Sequence, residues 1–201
     1  IGQDKLKTLL RKTSFAISTD ESRFVLNGIY MMLKEHNITL VATDGRRLAL
    51  AEEEVDMPPS SQGECIVPSK AITEVNRLLG TQHEVEIKFT DNQVAFTLQG
   101  EKGYSTLIIS KLIDGTYPNY RQVIPAEGKE RITLVREEIL QALRRAELMT
   151  SEKSNSVKLS FTKNKVEITA NTPEVGEARE TIAINYKGND IAIAFNPIYM
   201  M

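Results

Sequence analysis

The chain is 201 residues long, 41% apolar and 26% charged, with a formal net charge of −2 and one cysteine. Those figures describe one large or two small soluble globular domains. They exclude a disulfide-stapled scaffold and a protein that coats nucleic acid with its whole surface, while leaving room for a localised basic face. No window is apolar enough to span a bilayer. The chain opens on Ile1 with no basic-then-apolar leader, so a fragment without a secretory signal is expected, and the lone Cys65 points to a reducing, cytoplasmic setting.

Residues 4–17 predict an amphipathic helix, with Leu6, Leu9, Leu10, Thr13 and Ala16/Ile17 on one side and Lys5, Lys7, Arg11 and Lys12 on the other. The second side is that of a solvated surface helix or of a helix aimed at phosphates. A polar connection leads to a predicted strand over 23–33. Glu35-His36-Asn37 then turns the chain into a second strand over 38–42, as in a hairpin. Thr43-Asp44-Gly45 signals a sharp turn, because glycine takes positive φ freely, and the turn sets Arg46 and Arg47 beside a third strand resuming at Leu48. On these residues alone, a polar hairpin corner with solvated arginines is the plain reading.

The acidic run 52–56 closes the third strand, the proline loop 57–63 follows, and 65–67 is a short strand. Pro68 and Ser69 start a helix through Leu79, with Ile72, Val75, Leu78 and Leu79 inside and Lys70, Glu74 and Arg77 outside; Gly80 stops it. Alternation of Val85, Ile87 and Phe89, then of Val94, Phe96 and Leu98, predicts an antiparallel meander that ends near Ser110. A proline-bracketed run over 114–125 and a linker over 126–130 separate two expected domains, 1–125 and 126–201.

The second domain repeats the first. A shift of 133 residues sets Leu6 on Ile139, Leu10 on Leu143, Arg11-Lys12 on Arg144-Arg145, Phe24 on Val157 and Leu26 on Leu159; a shift of 128 sets 38–42 on 166–170, and one of 129 sets Pro68 on Pro197. Helix, hairpin, third strand, short strand and second helix therefore recur in order, and the second copy stops before a meander of its own. Duplicated helix-on-sheet units suggest a curved or ring-like assembly whose equivalent helices share a side. A basic pair on each first helix would then attract a phosphate backbone without base contacts.

No catalytic constellation is present in the sequence. His36 and His83 fall in a turn and a polar loop, and no zinc spacing, phosphate-cradling glycine loop or nucleophile elbow occurs, so no cofactor or metal is expected. Asp44 and Asp114 each precede a glycine, where a turn-forming aspartate is the simpler account than a metal pair. A binding protein is favoured over an enzyme, with a protein-only scaffold as the alternative.

Four stretches, 23–28, 41–49, 66–70 and 112–120, together resemble the bacterial DNA polymerase sliding clamp family over nearly the whole chain, as its middle domain followed by the first part of its third. The resemblance implies an α+β DNA-clamp fold of repeated modules, each with two helices packed on antiparallel sheet. It also implies a head-to-tail homodimer ring that encircles duplex DNA without sequence preference and tethers the polymerase for processive synthesis. In that family a groove between the middle and last domains receives short peptides from polymerase, clamp loader and repair polymerases. Carried over by motif, its walls here are Leu26, Thr43, Gly45, Arg46, Arg47, Leu48, Pro118, Gln122 and Val123. The DNA-facing candidates are Lys5, Lys12, Arg23, Phe24, Lys70, Arg77, Arg144 and Arg145.

Overall fold

A computed structural model describes residues 1–58, 61–126, 128, 130–151 and 155–201. Pro59 and Ser60 of the proline loop and Glu127 and Lys129 of the linker lie outside the described residues. The chain divides into two compact units, Ile1–Ile124 and Pro125–Met201. Among the described residues no helix is long and apolar enough to cross a membrane.

In unit 1 the first helix, α1 (Gln3–Thr13), buries Leu6, Leu9, Leu10 and Thr13, the i, i+3, i+4, i+7 stripe its sequence predicts. The helix ends four residues early. The Thr13 hydroxyl donates back to the Leu9 carbonyl, a tight 3-10 turn spans Ser14–Ala16, and Ile17 is extended. Four strands follow: β1 (Gly28–Lys34), β2 (Asn37–Thr43), β3 (Leu48–Glu54) and β4 (Gly63–Pro68), hydrogen-bonded antiparallel in the order β3-β2-β1-β4. Glu35 and His36 take φ of 51° and 61°, the mirror-image turn that matches the twist of a two-residue hairpin.

The predicted strand over 23–33 begins only at Gly28. Residues Glu21–Leu26 instead form 3-10 turns kinked at Arg23, started by the Asp20 carboxylate, which accepts from the Ser22 amide. A short apolar run does not distinguish strand from turn by periodicity, and the aspartate cap decides it here.

Alternation along this sheet gives it two apolar faces. Ile29, Met31, Ile38, Leu40, Ala42, Ala49, Ala51, Cys65 and Val67 join the main core with α1 and with α2 (Ser69–Leu78). Val41 and Ile66 point the other way, into a second cluster with Leu26, Tyr117 and Tyr120, against which Tyr30 and Leu48 pack. In α2 the buried side chains are Ala71, Ile72 and Val75, with Leu79 just beyond. Leu78, expected inside, lies at the edge of the stripe they set, one step beyond Ala71, and is 39% exposed.

The meander is β5 (Val85–Phe89), β6 (Gln93–Gln99) and β7 (Ser105–Lys111), and it closes the main core with Val85, Val94, Phe96 and Leu98. Gln3 ties the parts together: its amide donates to the Glu84 and Gln99 carbonyls and accepts from the Gly80 amide. Past β7 the chain returns along the second face, where the Ile113 amide donates to the Ile66 carbonyl and Tyr117 and Tyr120 are buried.

Unit 2 contains α3 (Arg136–Glu147), β8 (Val157–Thr162), β9 (Lys165–Thr172), β10 (Gly176–Ala183), β11 (Ile191–Phe195) and the short α4 (Pro197–Met200). Its sheet order, β10-β9-β8-β11, is that of the first four strands of unit 1, so the two units repeat one topology. Its core joins Ala142, Leu143 and Ala146 to Val157, Leu159, Val166, Ile168, Ala170 and Ile182.

The register of the repeat differs from the expectation. Lys34 pairs with Asn37 as Thr162 pairs with Lys165, so the 128-residue shift already holds in the first strand. Val157 and Leu159 therefore correspond to Ile29 and Met31, not to Phe24 and Leu26. The extra residues of unit 1 are the 3-10 turns between α1 and β1. At the second helix the N-caps are Pro68 and Asn196, so Pro197 corresponds to Ser69 and the match of Pro68 with Pro197 is one residue out.

Candidate functional site

All nine groove candidates lie in unit 1, and most are organised by the four residues between β2 and β3. Thr43 pairs with Leu48 across the hairpin, and its hydroxyl donates to the Arg47 carbonyl at 2.7 Å and accepts from the Gly45 amide at 3.0 Å. The Asp44 carboxylate accepts from the Arg46 and Arg47 amides at 2.9 and 3.0 Å and from Arg47 Nε at 3.1 Å. Asp44 is thus a turn-forming aspartate, as its glycine neighbour suggests. Gly45 has φ of 84°, and a Cβ there would lie 2.6 Å from Arg23 Nη1. Glycine is needed for the positive φ of the turn, whereas the Arg23 guanidinium, the end of a half-exposed side chain, could shift aside.

The turn separates two arginines with different surroundings. Arg46 is exposed. Arg47 is held: Nη2 donates to the Phe15 carbonyl at 2.8 Å, and the guanidinium carbon lies 5.5 Å from the centre of the Phe15 ring. Leu48 packs against the cluster of Leu26, Tyr117 and Tyr120. Leu26 is 6% exposed, so it supports this surface from beneath more than it forms it. Pro118 and Gln122 are exposed, and Val123, at 68% exposure, is not core.

Burial alone would raise the Asp44 pKa; the Arg46 and Arg47 amides and the Arg47 guanidinium outweigh it and hold the carboxyl below its ordinary value. A carboxylate with a depressed folded-state pKa stabilises the fold fully above its unfolded pKa of about 3.9 and loses that contribution as pH falls through the folded value. The stability gap between the wild type and Asp44→Asn, followed by urea unfolding, is therefore expected to be constant from neutral pH to the mid-fours and to shrink below that. A gap that shrinks already near pH 6 would show that another group controls the turn.

The DNA-facing candidates divide by partner. Lys5 pairs with Glu53 at 2.6 Å, Arg23 with Asp20, Arg77 with Glu74, and Arg145 with Glu180 through two bonds of 2.8 and 2.7 Å. Among the described residues Lys12, Lys70 and Arg144 have no carboxylate partner, and neither has Arg11. Arg11, Lys12, Arg77, Arg144 and Arg145 all fall in the last turn of a helix, where a cation also complements the carbonyl end of the dipole. Arg23 and Phe24 are on neither helix. Arg23 covers Gly45, and the exposed Phe24 reaches toward Gly115, whose added Cβ would lie 3.8 Å from its ring, so both sit with the turn segments.

Among the described residues no group of three or more His, Cys, Asp or Glu could hold a metal ion. Burial pushes the Cys65 thiol up to about 11, which leaves it protonated at neutral pH.

Residues 1–119 match the model of the DNA polymerase III beta subunit central domain, and residues 121–201 that of its C-terminal domain. The chain belongs to the DNA polymerase III beta-subunit family. It is similar to the beta sliding clamp of Chlamydia pneumoniae, 38% identical over 98% of this chain and 53% of that protein. It is also similar to the beta sliding clamp of Bacillus subtilis, 37% identical over the whole of this chain and 53% of that protein. Among solved structures, the DNA polymerase III subunit beta of Pseudomonas aeruginosa matches with a TM-score of 0.92 at 33% identity, over all of this chain and 54% of that one. The chain thus has the α+β sliding-clamp fold and spans about half the length of the curated relatives it matches.

Residues outside the groove candidates pack the surface beneath them. Tyr30 stacks on Tyr117 with ring centres 5.0 Å apart and donates to Glu64 at 2.5 Å. Burial pushes the Tyr117 phenol up to about 12 against the opposing effect of the Thr43 backbone, and the buried phenol oxygen has no hydrogen-bond partner among the described residues. Tyr117 and Tyr120 fall within the quoted 112–120 motif, but their burial depends on a sheet face that only the register reveals.

Proposed function

We propose that the chain supplies the central and C-terminal portions of a non-catalytic clamp that surrounds duplex DNA and tethers a replicative polymerase. In this reading 1–125 is one whole clamp domain and 126–201 the first part of the next. The family match along both units carries the proposal, and the lone buried Cys65 fits a reducing, cytoplasmic setting. Lys12, Lys70 and Arg144 are the cations most available to phosphates, which are recognised by charge without sequence readout. The turn from Thr43 to Leu48, with Leu26 buried in the cluster that Leu48 packs on and with Pro118 from the chain between Tyr117 and Tyr120, receives a short partner peptide through apolar anchors. The protein at full length assembles head to tail as a homodimer, and polymerase, clamp loader and repair polymerases share the groove.

The test is retention. The full-length protein loaded on a nicked circular duplex is expected to co-elute with it through gel filtration and to be released when a restriction enzyme linearises the circle. Equal retention on circle and line would overturn encirclement, and loss from both would leave the protein-only scaffold. In direct binding at low salt, Arg144→Ala is expected to lower the slope of log affinity against log salt by about 1, the share of one phosphate contact. An unchanged slope removes Arg144 from the interface.

A further inference from the structure

We infer that Phe15 is a positioning residue for the peptide groove: with Asp44 it fixes the Arg47 side chain before any ligand arrives. The inference rests on the groove reading above and adds to it a residue outside the carried-over motif.

The observation is that Arg47 is gripped from three directions by two segments. Asp44 takes Nε at 3.1 Å, the Phe15 carbonyl takes Nη2 at 2.8 Å, and the Phe15 ring lies under the guanidinium at 5.5 Å. Asp44 is itself set by the amides of Arg46 and Arg47, so it cannot swing with the side chain it holds. Phe15 belongs to the 3-10 turn after α1, 32 residues away in sequence, so the grip joins that turn to the β2–β3 corner. The Phe15 side chain is more than half exposed. Core packing therefore does not account for an aromatic residue there, whereas a platform for a guanidinium does.

The consequence concerns binding more than folding. An arginine free to sample its rotamers loses that freedom when a ligand packs on it, and the loss subtracts from affinity. One already held by a carboxylate, a carbonyl and a ring has lost it beforehand. The ligand class is the one the groove accepts, a short peptide with apolar anchors that pack on the arginine stem.

The probe is a short fluorescein-labelled peptide with leucine and phenylalanine anchors, titrated by anisotropy against the full-length protein. Phe15→Ala and Phe15→Leu are expected to weaken it by about 3- to 10-fold, while Phe15→Tyr, which restores the ring, binds as the wild type does. Arg47→Lys keeps the charge but cannot fill the same fork, and is expected to fall with Phe15→Leu. The deciding measurement is a double-mutant cycle: Phe15→Leu on an Arg47→Ala background should cost nothing further. If both changes weaken binding independently, or if Phe15→Leu binds normally while Arg47→Ala does not, positioning is overturned and the groove stands. If Arg47→Ala itself binds normally, the groove reading falls.

Discussion

Arg47→Ala is expected to weaken an apolar-anchored peptide by roughly 30-fold or more, the scale of a residue costing about 2 kcal/mol on truncation, and Arg46→Ala by no more than a few-fold. The two are adjacent and carry the same charge, so net electrostatics predicts equal losses. Their surroundings predict the opposite. Arg47 is bonded to Asp44 and Phe15 and offers a fixed stem beside Leu48, whereas Arg46 is exposed at the rim, where solvent screens its charge. Removing Arg47 also strips the Asp44 carboxylate of its guanidinium, so the measured loss includes a loosened turn. Leu26→Ala reaches the site by another route: a leucine 6% exposed and packed with Val41, Ile66, Tyr117 and Tyr120 is expected to cost about 2–5 kcal/mol of stability. Titration of the same peptide against all three variants, alongside their urea unfolding curves, separates these routes. Equal losses for Arg46→Ala and Arg47→Ala would reduce the site to its net charge.

What could be read from the chain was what short-range physics dictates. The stripe of Leu6, Leu9 and Leu10, the turn at Glu35-His36 and the alternation of Val94, Phe96 and Leu98 are each decided within a few residues, and the structure has them where the pattern puts them. So is the order of elements in the repeat, because each copy uses the same local signals. The failures share a different cause. At 23–27 the apolar run suits strand or turn equally, and a carboxylate at Asp20 decides between them. The expected match of Phe24 with Val157 and of Leu26 with Leu159 fails for the same reason, since a strand started too early pulls its partner residues with it.

The site was legible as a motif and illegible as a mechanism. Thr43, Asp44 and Gly45 announce a turn, but nothing near them announces that Phe15 closes it from 32 residues upstream. In the same way, helical phase marks Arg145 as a surface cation without revealing that Glu180, 35 residues on, accepts from its Nε and Nη2. Long-range partners decide which cations stay available to phosphate, and they depend on strand register.

Gly28→Ala is expected to be among the most damaging single changes in unit 1, although it adds one methyl group. Gly28 stands opposite Pro68 where β1 meets β4, and a Cβ there would lie 2.3 Å from the Val67 carbonyl oxygen and 3.1 Å from Ile113 Cδ1. The Ile113 methyl, at the end of a side chain, can give by a few tenths of an ångström, but the Val67 carbonyl is backbone in a paired strand and cannot yield cheaply. Relief requires β1 to part from β4, which costs ladder hydrogen bonds, or the 112–120 return to lift from the second face, which unseats Tyr117 above Leu26. Overpacking of this kind costs about 1–3 kcal/mol and occasionally more, and contact with backbone on one side places this substitution at the upper end. Among the described residues Gly128→Ala meets the Glu130 carbonyl alone, at an ordinary contact distance of 3.5 Å, and serves as the tolerant control. Urea midpoints for the two variants are expected to differ by the full effect, with peptide affinity falling in Gly28→Ala alone. Lost stability with unchanged affinity would show that the second face does not support the groove.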